Sequence, residues 1–228
     1  MPRFARVREL VANLDPEHVY RTIYDEHLSP VVAGTEPLDP QGLSDFRSVD
    51  FVGKRVVDLG CNFGFFAFEA RRRGAGQVLG VDREAKVLEG AALLRDIFCL
   101  TGVDFLVCDI EAPDNCLGGQ KFDMAMLVEF IGKTFVREGR LPCVLAVLES
   151  LSEKELILSV QKSYMIRKEL GATPEEMRRH YPEAYLRDGE VMVLDFVRDF
   201  FKDRWKIEML SEECDGYEKP RKYLRLHK

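Results

Sequence analysis

The residue types best suited to chemistry lie in a turn near residue 60. The segment from Val57 to Phe66 reads Val-Asp-Leu-Gly-Cys-Asn-Phe-Gly-Phe-Phe, and it continues a β-branched run that is typical of a buried strand. Gly60 permits a tight turn and a close approach of a ligand to the backbone, and Gly64 lets a following helix pack closely on the strand. The segment therefore predicts a site for a nucleotide-like ligand at the carboxyl end of a strand.

The glycine spacing separates this turn from two common phosphate-binding loops. Gly60 and Gly64 form a G-x-x-x-G pattern, with Asn62 where a dinucleotide-binding loop has its middle glycine. No Gly-Lys-Ser/Thr follows, so the turn is not a P-loop. Asp58 at the strand end would repel a pyrophosphate and favours a ligand that carries positive charge. An NAD-dependent oxidoreductase is therefore disfavoured.

Acidic residues also end the next two predicted strands. Asp82 closes the run that begins at Gln77, and Asp109 follows the run from Val103 to Cys108. Since the carboxyl ends of parallel strands meet at one edge of a sheet, both are expected near the glycine turn. Taken alone, Asp82 fits equally well as the N-cap of the next helix, and Asp109 as a turn residue.

Strands and helices alternate around these residues. Strands are predicted over 55–60, 77–82, 103–108, 122–128 and 155–160, and helices over 63–73, 87–98 and 141–151. This order predicts an α/β fold with a doubly wound, mostly parallel seven-stranded sheet. Its last two strands, Lys206–Leu210 and Tyr223–Leu226, would be an antiparallel C-terminal pair.

Residues 1–53 are predicted to form a helical extension on the substrate side. A first helix would run from Phe4 to Leu14. A second would start at Asp15, with a proline in its first turn, and would present Tyr20 and Tyr24 on one face.

Residues 54–228 are predicted to be the main domain, with a helical insertion at 163–188. Thr173 opens a capping box within this insertion. Its apparent shortage of apolar positions predicts a mobile wall or lid over the substrate. His180 is open to two interpretations, a residue that reaches the site or part of a polar surface helix.

Composition and charge restrict the class of protein. The 228 residues are 46% hydrophobic and 32% charged, which is typical of a globular chain. A net charge of −6 gives no overall basic surface for nucleic acid. The segment Lys219–Lys228 is locally basic, which fits either phosphate contact or a solvated sheet edge.

Neither a membrane nor a metal is expected as a partner. No apolar run approaches the roughly 20 residues that a membrane helix needs, and the N-terminus lacks a secretory signal. The six cysteines are scattered, without a C-x-x-C pair or a histidine at metal-ligand spacing. They predict mostly buried, reduced thiols in a cytoplasmic protein.

The ordered pattern of a glycine turn and strand-end acids resembles the class I S-adenosylmethionine-dependent methyltransferases. The motifs lie between Arg55 and Glu129, and the strand order extends the resemblance to the C-terminus. It implies S-adenosylmethionine as cofactor and a small molecule or an RNA base as methyl acceptor. The Gly-Cys-Asn-x-Gly form of the turn is similar to that of some RNA-modifying members. The alternative is a non-catalytic module that kept the cofactor fold for binding or scaffolding.

The same resemblance implies a role for each residue of the turn. Asp58 would face the methionine ammonium group, directly or through water. The backbone of the turn would cradle the cofactor, through Gly60, Cys61, Asn62 and Gly64.

The resemblance also implies where the nucleoside lies. Asp82 would accept hydrogen bonds from both ribose hydroxyls, since a carboxylate offers two acceptor oxygens. Arg83 would lie beside the adenine, Asp109 would accept from its amino group, and Ile110 would pack nearby.

Residues after the fourth predicted strand would line the mouth of the active site. These are Val128, Glu129 and Phe130. Glu129 is the candidate catalytic base, needed only if the acceptor keeps a proton at the working pH. A helix-start acid or a solvated loop residue is an equally good interpretation of Glu129.

Overall fold

The structure is a computed structural model that describes most of the chain. The described residues are 3–25, 29–34, 46–112, 116–117, 119–210 and 221–228. Leu28 of the predicted second helix, Cys214 and the loop between the two terminal strands lie outside these residues.

Helices and strands are numbered here in chain order. The strands are β1 (Ile23–Tyr24), β2 (Pro30–Val32), β3 (Arg55–Leu59), β4 (Gln77–Asp82), β5 (Val103–Val107), β6 (Phe122–Leu127), β7 (Ser152–Gln161), β8 (Tyr164–Met165), β9 (Leu186–Arg187), β10 (Glu190–Val191), β11 (Lys206–Met209) and β12 (Arg221–His227). The helices are α1 (Ala5–Ala12), α2 (Phe65–Arg72), α3 (Ala85–Ile97), α4 (Lys133–Arg137), α5 (Leu141–Leu151), α6 (Pro174–Arg178) and α7 (Val193–Phe201). Short 3-10 turns lie at Pro16–His18 and Glu183–Tyr185.

The main sheet has seven strands in the order β11-β12-β7-β6-β3-β4-β5. The pairs β3–β4, β4–β5 and β6–β7 are parallel, whereas β12 is antiparallel to both β7 and β11. The predicted fold class is therefore confirmed. The strand order reverses at β3, and ligands in open α/β sheets bind at the carboxyl end of such a strand.

The chain falls into two compact units, and residues 1–119 form the first. Within it α2 contacts β3, β4 and β5, and α1 contacts α3. The buried face of α2 carries Phe66, Ala67, Phe68 and Ala70, and the ring of Phe68 meets Phe105 of β5 edge-on. Arg71 and Arg72 lie in the last turn of α2, where positive charge stabilises the carboxyl end of a helix.

Residues 120–228 form the second unit. Its helix α5 covers the predicted residues, has a proline in the first turn and packs on β6 and β7. Helix α7 contacts β7 and β11, and its buried stripe consists of Val193, Leu194, Val197 and Phe201. The apolar stripe therefore fixes which face of α7 packs on these strands.

The basic C-terminal segment is not a solvated sheet edge. Strand β12 lies between β7 and β11, so it is an interior strand. Lys222 is buried, and the guanidinium of Arg225 pairs with Glu155 and Glu208. The described cations of this segment thus serve the packing and pairing of the second unit.

The prediction of a second N-terminal helix, starting at Asp15, is wrong. After the 3-10 turn at Pro16–His18, the chain enters β1, where Ile23 pairs with Val32 of β2. Tyr20 and Tyr24 therefore do not share a helix face. The β-branched and aromatic residues of this stretch favour a strand once a partner strand is present, and that outweighs the Asp15 start signal.

The insertion at 163–188 has a core of its own, contrary to the expectation of few apolar positions. Tyr164, Ile166, Leu170, Met177 and Tyr181 are all buried. Besides α6 and its capping box, β8 and β9 flank β10 in a small sheet. These apolar residues are spaced irregularly along the segment, so no helical or strand period revealed them.

The expectation of reduced cysteines is wrong for one pair. Cys108 and Cys116 form a disulfide, with their Cα atoms 5.7 Å apart. Cys61 is a buried free thiol, whereas Cys99 and Cys143 are exposed. The spacing of eight residues between the two bonded cysteines matched no known motif, so the sequence did not reveal the pair.

The described residues include no helix with the length and apolar character of a membrane-spanning segment. Nor do they contain a group of three or more histidine, cysteine or acidic residues that could hold a metal ion.

Candidate functional site

The register of the first unit brings three strand ends to one edge. Asp58 pairs with Gly80 across β3 and β4, and Asp82 pairs with Val107 across β4 and β5. The backbone N–H groups of Gly60 and Cys61 both donate to the carbonyl of Val81, at 2.8 and 3.0 Å. The glycine turn therefore lies directly against the end of β4.

Left-handed backbone gives the turn its shape. Gly60, Asn62 and Gly64 have φ angles of 67°, 50° and 81°. A side chain at Gly64 would place its Cβ 3.0 Å from the rings of Phe68 and Phe105, so only glycine allows this approach of α2 to the sheet. Asparagine tolerates the left-handed region better than most residues, so Asn62 can replace glycine there at little cost.

Asp82 holds two turns together. Its Oδ2 accepts from the backbone N–H of Asn62 at 2.9 Å, and its Oδ1 accepts from that of Glu84 at 3.1 Å. The N-cap residue of α3 is Glu84, so Asp82 is not the helix cap. Each carboxylate oxygen can accept a second hydrogen bond. The Asp82 carboxylate can therefore hold the turns and still bind a diol.

Asp58 carries a buried carboxyl group, one oxygen of which lacks a hydrogen-bond partner among the described residues. Its side chain is 1% exposed, and Oδ2 has no hydrogen-bond partner among the described residues. Burial raises its pKa from 3.8 to about 8, the nearby Asp82 charge adds to this, and a hydrogen bond from the backbone of Ala67 opposes it. An unpartnered buried carboxyl oxygen is costly, so packing alone does not account for an acid at this position.

The Cys61 thiol is unsuited to nucleophilic chemistry. Burial raises the pKa of this thiol well above 9.0, and the charges of Asp58 and Asp82 raise it further. Its Sγ packs where a side chain on Gly80 would lie, since a Cβ there would come within 2.9 Å. Cys61 therefore contributes a neutral side chain and its backbone to the turn.

The residues predicted around the adenine differ in exposure. Arg83 is exposed and lies 3.5 Å from Glu84. Asp109 is also exposed, and its Oδ1 accepts from the backbone N–H of Glu111, whereas Ile110 is buried. The backbone N–H of Cys108 donates to the carbonyl of Asp82 at 2.9 Å, which holds this loop at the same edge as the glycine turn.

In the second unit, Glu129 is fixed by two distant residues. It has a left-handed φ of 57°, and its backbone N–H donates to Ser159 Oγ at 2.7 Å. The hydroxyl of Tyr223 donates to Glu129 Oε1 at 2.7 Å. Helix α4 begins only at Lys133, with Gly132 as its N-cap, so Glu129 is not a helix-start acid. Val128, the residue before it, is buried.

Sequence reasoning missed the residues that hold these groups in place. Ser159 and Tyr223 come from β7 and β12, and no local motif marks them. His18 belongs to no sequence motif either, yet its carbonyl accepts from Asn62 Nδ2 at 2.9 Å. His180 is exposed and packs against Gly139, which agrees with the surface interpretation.

The family is established by a match over most of the chain. A family model described as a methyltransferase domain matches residues 50–217. The chain therefore belongs to this methyltransferase-domain family, and its fold is that of the class I S-adenosylmethionine-dependent methyltransferases.

Curated relatives match a part of the chain. The ribosomal protein L11 methyltransferase of Vibrio campbellii is 36% identical over 110 residues, which cover 44% of this chain and 37% of that protein. The protein of the same name from Aeromonas hydrophila is 30% identical over 129 residues, covering 51% and 42%. The chain spans about two fifths of the length of these relatives.

Solved structures share the fold at low identity. The N-terminal domain of EvdMO1, crystallised in the presence of SAH and D-fucose, has a TM-score of 0.62 and 18% identity, covering 100% of this chain and 97% of that chain. Magnesium protoporphyrin IX methyltransferase from Synechocystis PCC 6803 with bound SAM has a TM-score of 0.52 and 18% identity, covering 82% and 75%.

The residues at the edge of the first unit fit S-adenosylmethionine. The unpartnered oxygen of Asp58 is a buried acceptor for a positively charged group. Gly60 and Gly64 leave two left-handed positions of the turn free of side chains, so a ligand can approach its backbone there. Asp82 has acceptor capacity left for a diol.

Proposed function

We propose that the protein binds S-adenosylmethionine at the edge formed by β3, β4 and β5 and transfers its methyl group to a small-molecule acceptor. The observation that carries this proposal is the buried, unpartnered carboxyl oxygen of Asp58 beside a left-handed glycine turn. Membership of the methyltransferase-domain family supports it.

The cofactor-binding roles follow from the chemistry of each group. We assign the methionine ammonium to Asp58 and the ribose hydroxyls to Asp82, each of whose carboxylate oxygens can accept a second hydrogen bond. Backbone groups of Gly60, Cys61, Asn62 and Gly64 cradle the cofactor. Arg83, Asp109, Ile110 and Val128 complete the binding residues in this proposal.

Glu129 is the proposed general base. When bound, S-adenosylmethionine supplies a methyl group on a positively charged sulfur, already activated for displacement. Glu129 would take the proton from the acceptor's O–H or N–H group, so that the acceptor atom is free to receive the methyl group. The hydroxyl of Tyr223 orients the Glu129 carboxylate by donating to Oε1, and Ser159 fixes its backbone.

Charge favours a small molecule over an RNA base as the acceptor. The chain is acidic overall, with a net charge of −6. In the basic C-terminal segment, Lys222 is buried and Arg225 is ion-paired, so these cations are engaged within the protein. Phosphate contacts dominate the affinity of proteins for nucleic acids, and they need available cations.

We assign acceptor binding to the segments added to the core, residues 1–53 and 163–188. The cytoplasmic location that the sequence suggested stays a prediction. That prediction rested on reduced cysteines, and the Cys108–Cys116 disulfide weakens it because such bonds are rare in the reducing cytosol.

Calorimetry with S-adenosylmethionine, SAH and NAD tests the cofactor assignment, and labelled methyl transfer tests the reaction. We expect binding of the first two ligands and none of NAD. Label from S-adenosylmethionine should enter a small-molecule fraction of a cell extract. Label that enters RNA instead would show that the acceptor is an RNA base and not a small molecule. Binding without transfer to the small-molecule, RNA or protein fraction would identify a non-catalytic module.

Glu129→Gln should lower turnover by about 10²- to 10⁴-fold, the usual contribution of a general base. Affinity for SAH should stay within twofold, because the variant keeps the shape of the side chain. Glu153→Gln, at an exposed position on β7, is the matched control and should be active. Turnover by Glu129→Gln at the wild-type rate would exclude Glu129 as the base.

A further inference from the structure

The N-terminal turn at Pro16–His18 reaches the glycine turn. Asn62 Nδ2 donates to the His18 carbonyl at 2.9 Å, across 44 positions in sequence. On the other side, His18 Nε2 lies 4.0 Å from a carboxylate oxygen of Glu84. His18 thus contacts both turns that Asp82 joins, the one at Asn62 and the one at Glu84.

Neighbouring residues hold this stretch in place. Val19 is buried, and the guanidinium of Arg21 lies over the rings of Phe65 and Phe66, at 4.6 and 5.0 Å from their centres. Phe65 is the first residue of α2, directly after the glycine turn. The stretch from Asp15 to Tyr24 therefore borders the turn at more than one point.

His18 and Asp58 share an unusual property. Among the described residues, His18 Nδ1 and Asp58 Oδ2 are the buried side-chain polar atoms without a hydrogen-bond partner. Both residues border the same glycine turn. Buried polar atoms in folded proteins are nearly always paired, so two unpaired ones around one turn indicate a ligand that pairs them.

We propose that His18 is a cofactor-contacting residue and that the Asn62 side chain fastens it to the site. A glycine at position 62 would keep the path of the turn but could not make this bond. The stretch from Asp15 to Tyr24 then forms one wall of the cofactor site and becomes more ordered when the site is filled. This inference rests on the proposed function, because it takes the ligand to be S-adenosylmethionine or SAH.

Two variants separate the bond from Asn62 to the His18 carbonyl from the proposed contact of the His18 imidazole with the cofactor. Asn62→Gly keeps the backbone conformation and the N–H that donates to Asp82, and removes only the bond to His18. His18→Ala removes the imidazole and keeps the carbonyl that Asn62 binds. Asn13→Gly is the matched control, because Asn13 Nδ2 makes the same kind of bond to a backbone carbonyl, that of Glu9, at an exposed site within the N-terminal segment.

The measurements are calorimetric titration with SAH and hydrogen exchange of residues 15–24. In the free protein, Asn62→Gly should speed exchange in this stretch by about 2- to 10-fold, the effect of losing one hydrogen bond. His18→Ala should weaken SAH binding by about tenfold, and Asn62→Gly by a smaller factor. SAH should slow exchange in the unaltered protein, and Asn13→Gly should bind SAH normally.

The outcomes distinguish this inference from the function on which it rests. If the unaltered protein binds SAH and His18→Ala binds it equally well, the inference is overturned and the proposed function stands. Unchanged exchange of residues 15–24 on SAH binding overturns it in the same way. If the unaltered protein binds neither S-adenosylmethionine nor SAH, both are overturned.

Discussion

At the scale of single residues, Asp58 combines a cost in stability with a proposed role in binding. Its side chain is 1% exposed, and burial raises its pKa to about 8. Near neutral pH most of the free protein therefore holds this carboxyl group in its protonated form. A ligand that brings positive charge to the group favours the ionised form, so binding should release a proton.

We predict that affinity for S-adenosylmethionine rises between about pH 6 and pH 8, as Asp58 becomes easier to ionise. At pH 7, calorimetry in phosphate and in Tris should give different heats, because the released proton is taken up by buffers of different ionisation enthalpy. Asp58→Asn should bind more weakly, with equal heats in the two buffers. Equal heats for the unaltered protein would contradict the prediction.

The same shift predicts how stability depends on pH. The pKa of Asp58 is higher in the folded state than its ordinary value near 3.8, so the folded state binds the proton more tightly than the unfolded state. The contribution of this group to stability is therefore full below about pH 4 and falls as pH rises toward 8. Asp58→Asn should be more stable than the unaltered protein at pH 8, as measured by urea unfolding. If Asp58→Asn were less stable than the unaltered protein at pH 8, the burial of an ionised carboxylate at this position would not be the cause of a loss in stability.

At the scale of elements, the insertion at 163–188 is held down by its own core. Tyr181 is buried in it, and its hydroxyl donates to the carbonyl of Val136 at 2.9 Å. The hydroxyl of Tyr185 donates to Asp199 at 2.8 Å in a more exposed setting. Replacing each tyrosine by phenylalanine therefore removes one hydroxyl from a buried hydrogen bond at Tyr181 and from an exposed one at Tyr185.

Tyr181→Phe should lower the free energy of unfolding by about 1 kcal/mol, because it removes a buried hydrogen bond and leaves the Val136 carbonyl only the bond from the Gly139 backbone N–H at 3.2 Å. Tyr185→Phe should cost less, since water can replace the lost partner at an exposed site. Urea unfolding of both variants measures the difference. Equal losses would show that the Tyr181 bond is no more shielded from water than the Tyr185 bond.

The loop after β5 is closed by the Cys108–Cys116 disulfide. Replacing both cysteines by serine should lower the free energy of unfolding by about 2 kcal/mol, since the bond restricts the unfolded chain. Dithiothreitol should destabilise the unaltered protein and leave the double variant unchanged. Cys99→Ser with Cys143→Ser, at exposed free thiols, is the control. Six reactive thiols in the denatured, unreduced protein, rather than four, would contradict the bond.

At the scale of the whole molecule, the family match and the fold agree. The methyltransferase-domain match covers residues 50–217, which include every strand of the main sheet except the last. β12, beyond the match, supplies Tyr223, whose hydroxyl holds the proposed base. The proposed base thus depends on a C-terminal strand for its orientation.

Local patterns in the sequence were enough for much of the fold and for the glycine turn. Strand β4 and helix α5 were predicted with the observed bounds, because buried strands and amphipathic helices leave a period in neighbouring residues. The capping box at Thr173 forms as predicted, since both of its hydrogen bonds join residues three positions apart. The meeting of Asp58 and Asp82 at one edge followed from the alternation of strands and helices.

Tertiary structure alone decided the contacts that join distant parts of the chain. The bond from Tyr223 to Glu129 spans 94 positions, and that from Asn62 to His18 spans 44. The pairing of β1 with β2 overrode a local helix-start signal at Asp15 in the same way. Spacing along the sequence reports only which residues share a helix or strand face. Which faces and turns then meet depends on packing over the whole unit, so these contacts leave no local signal.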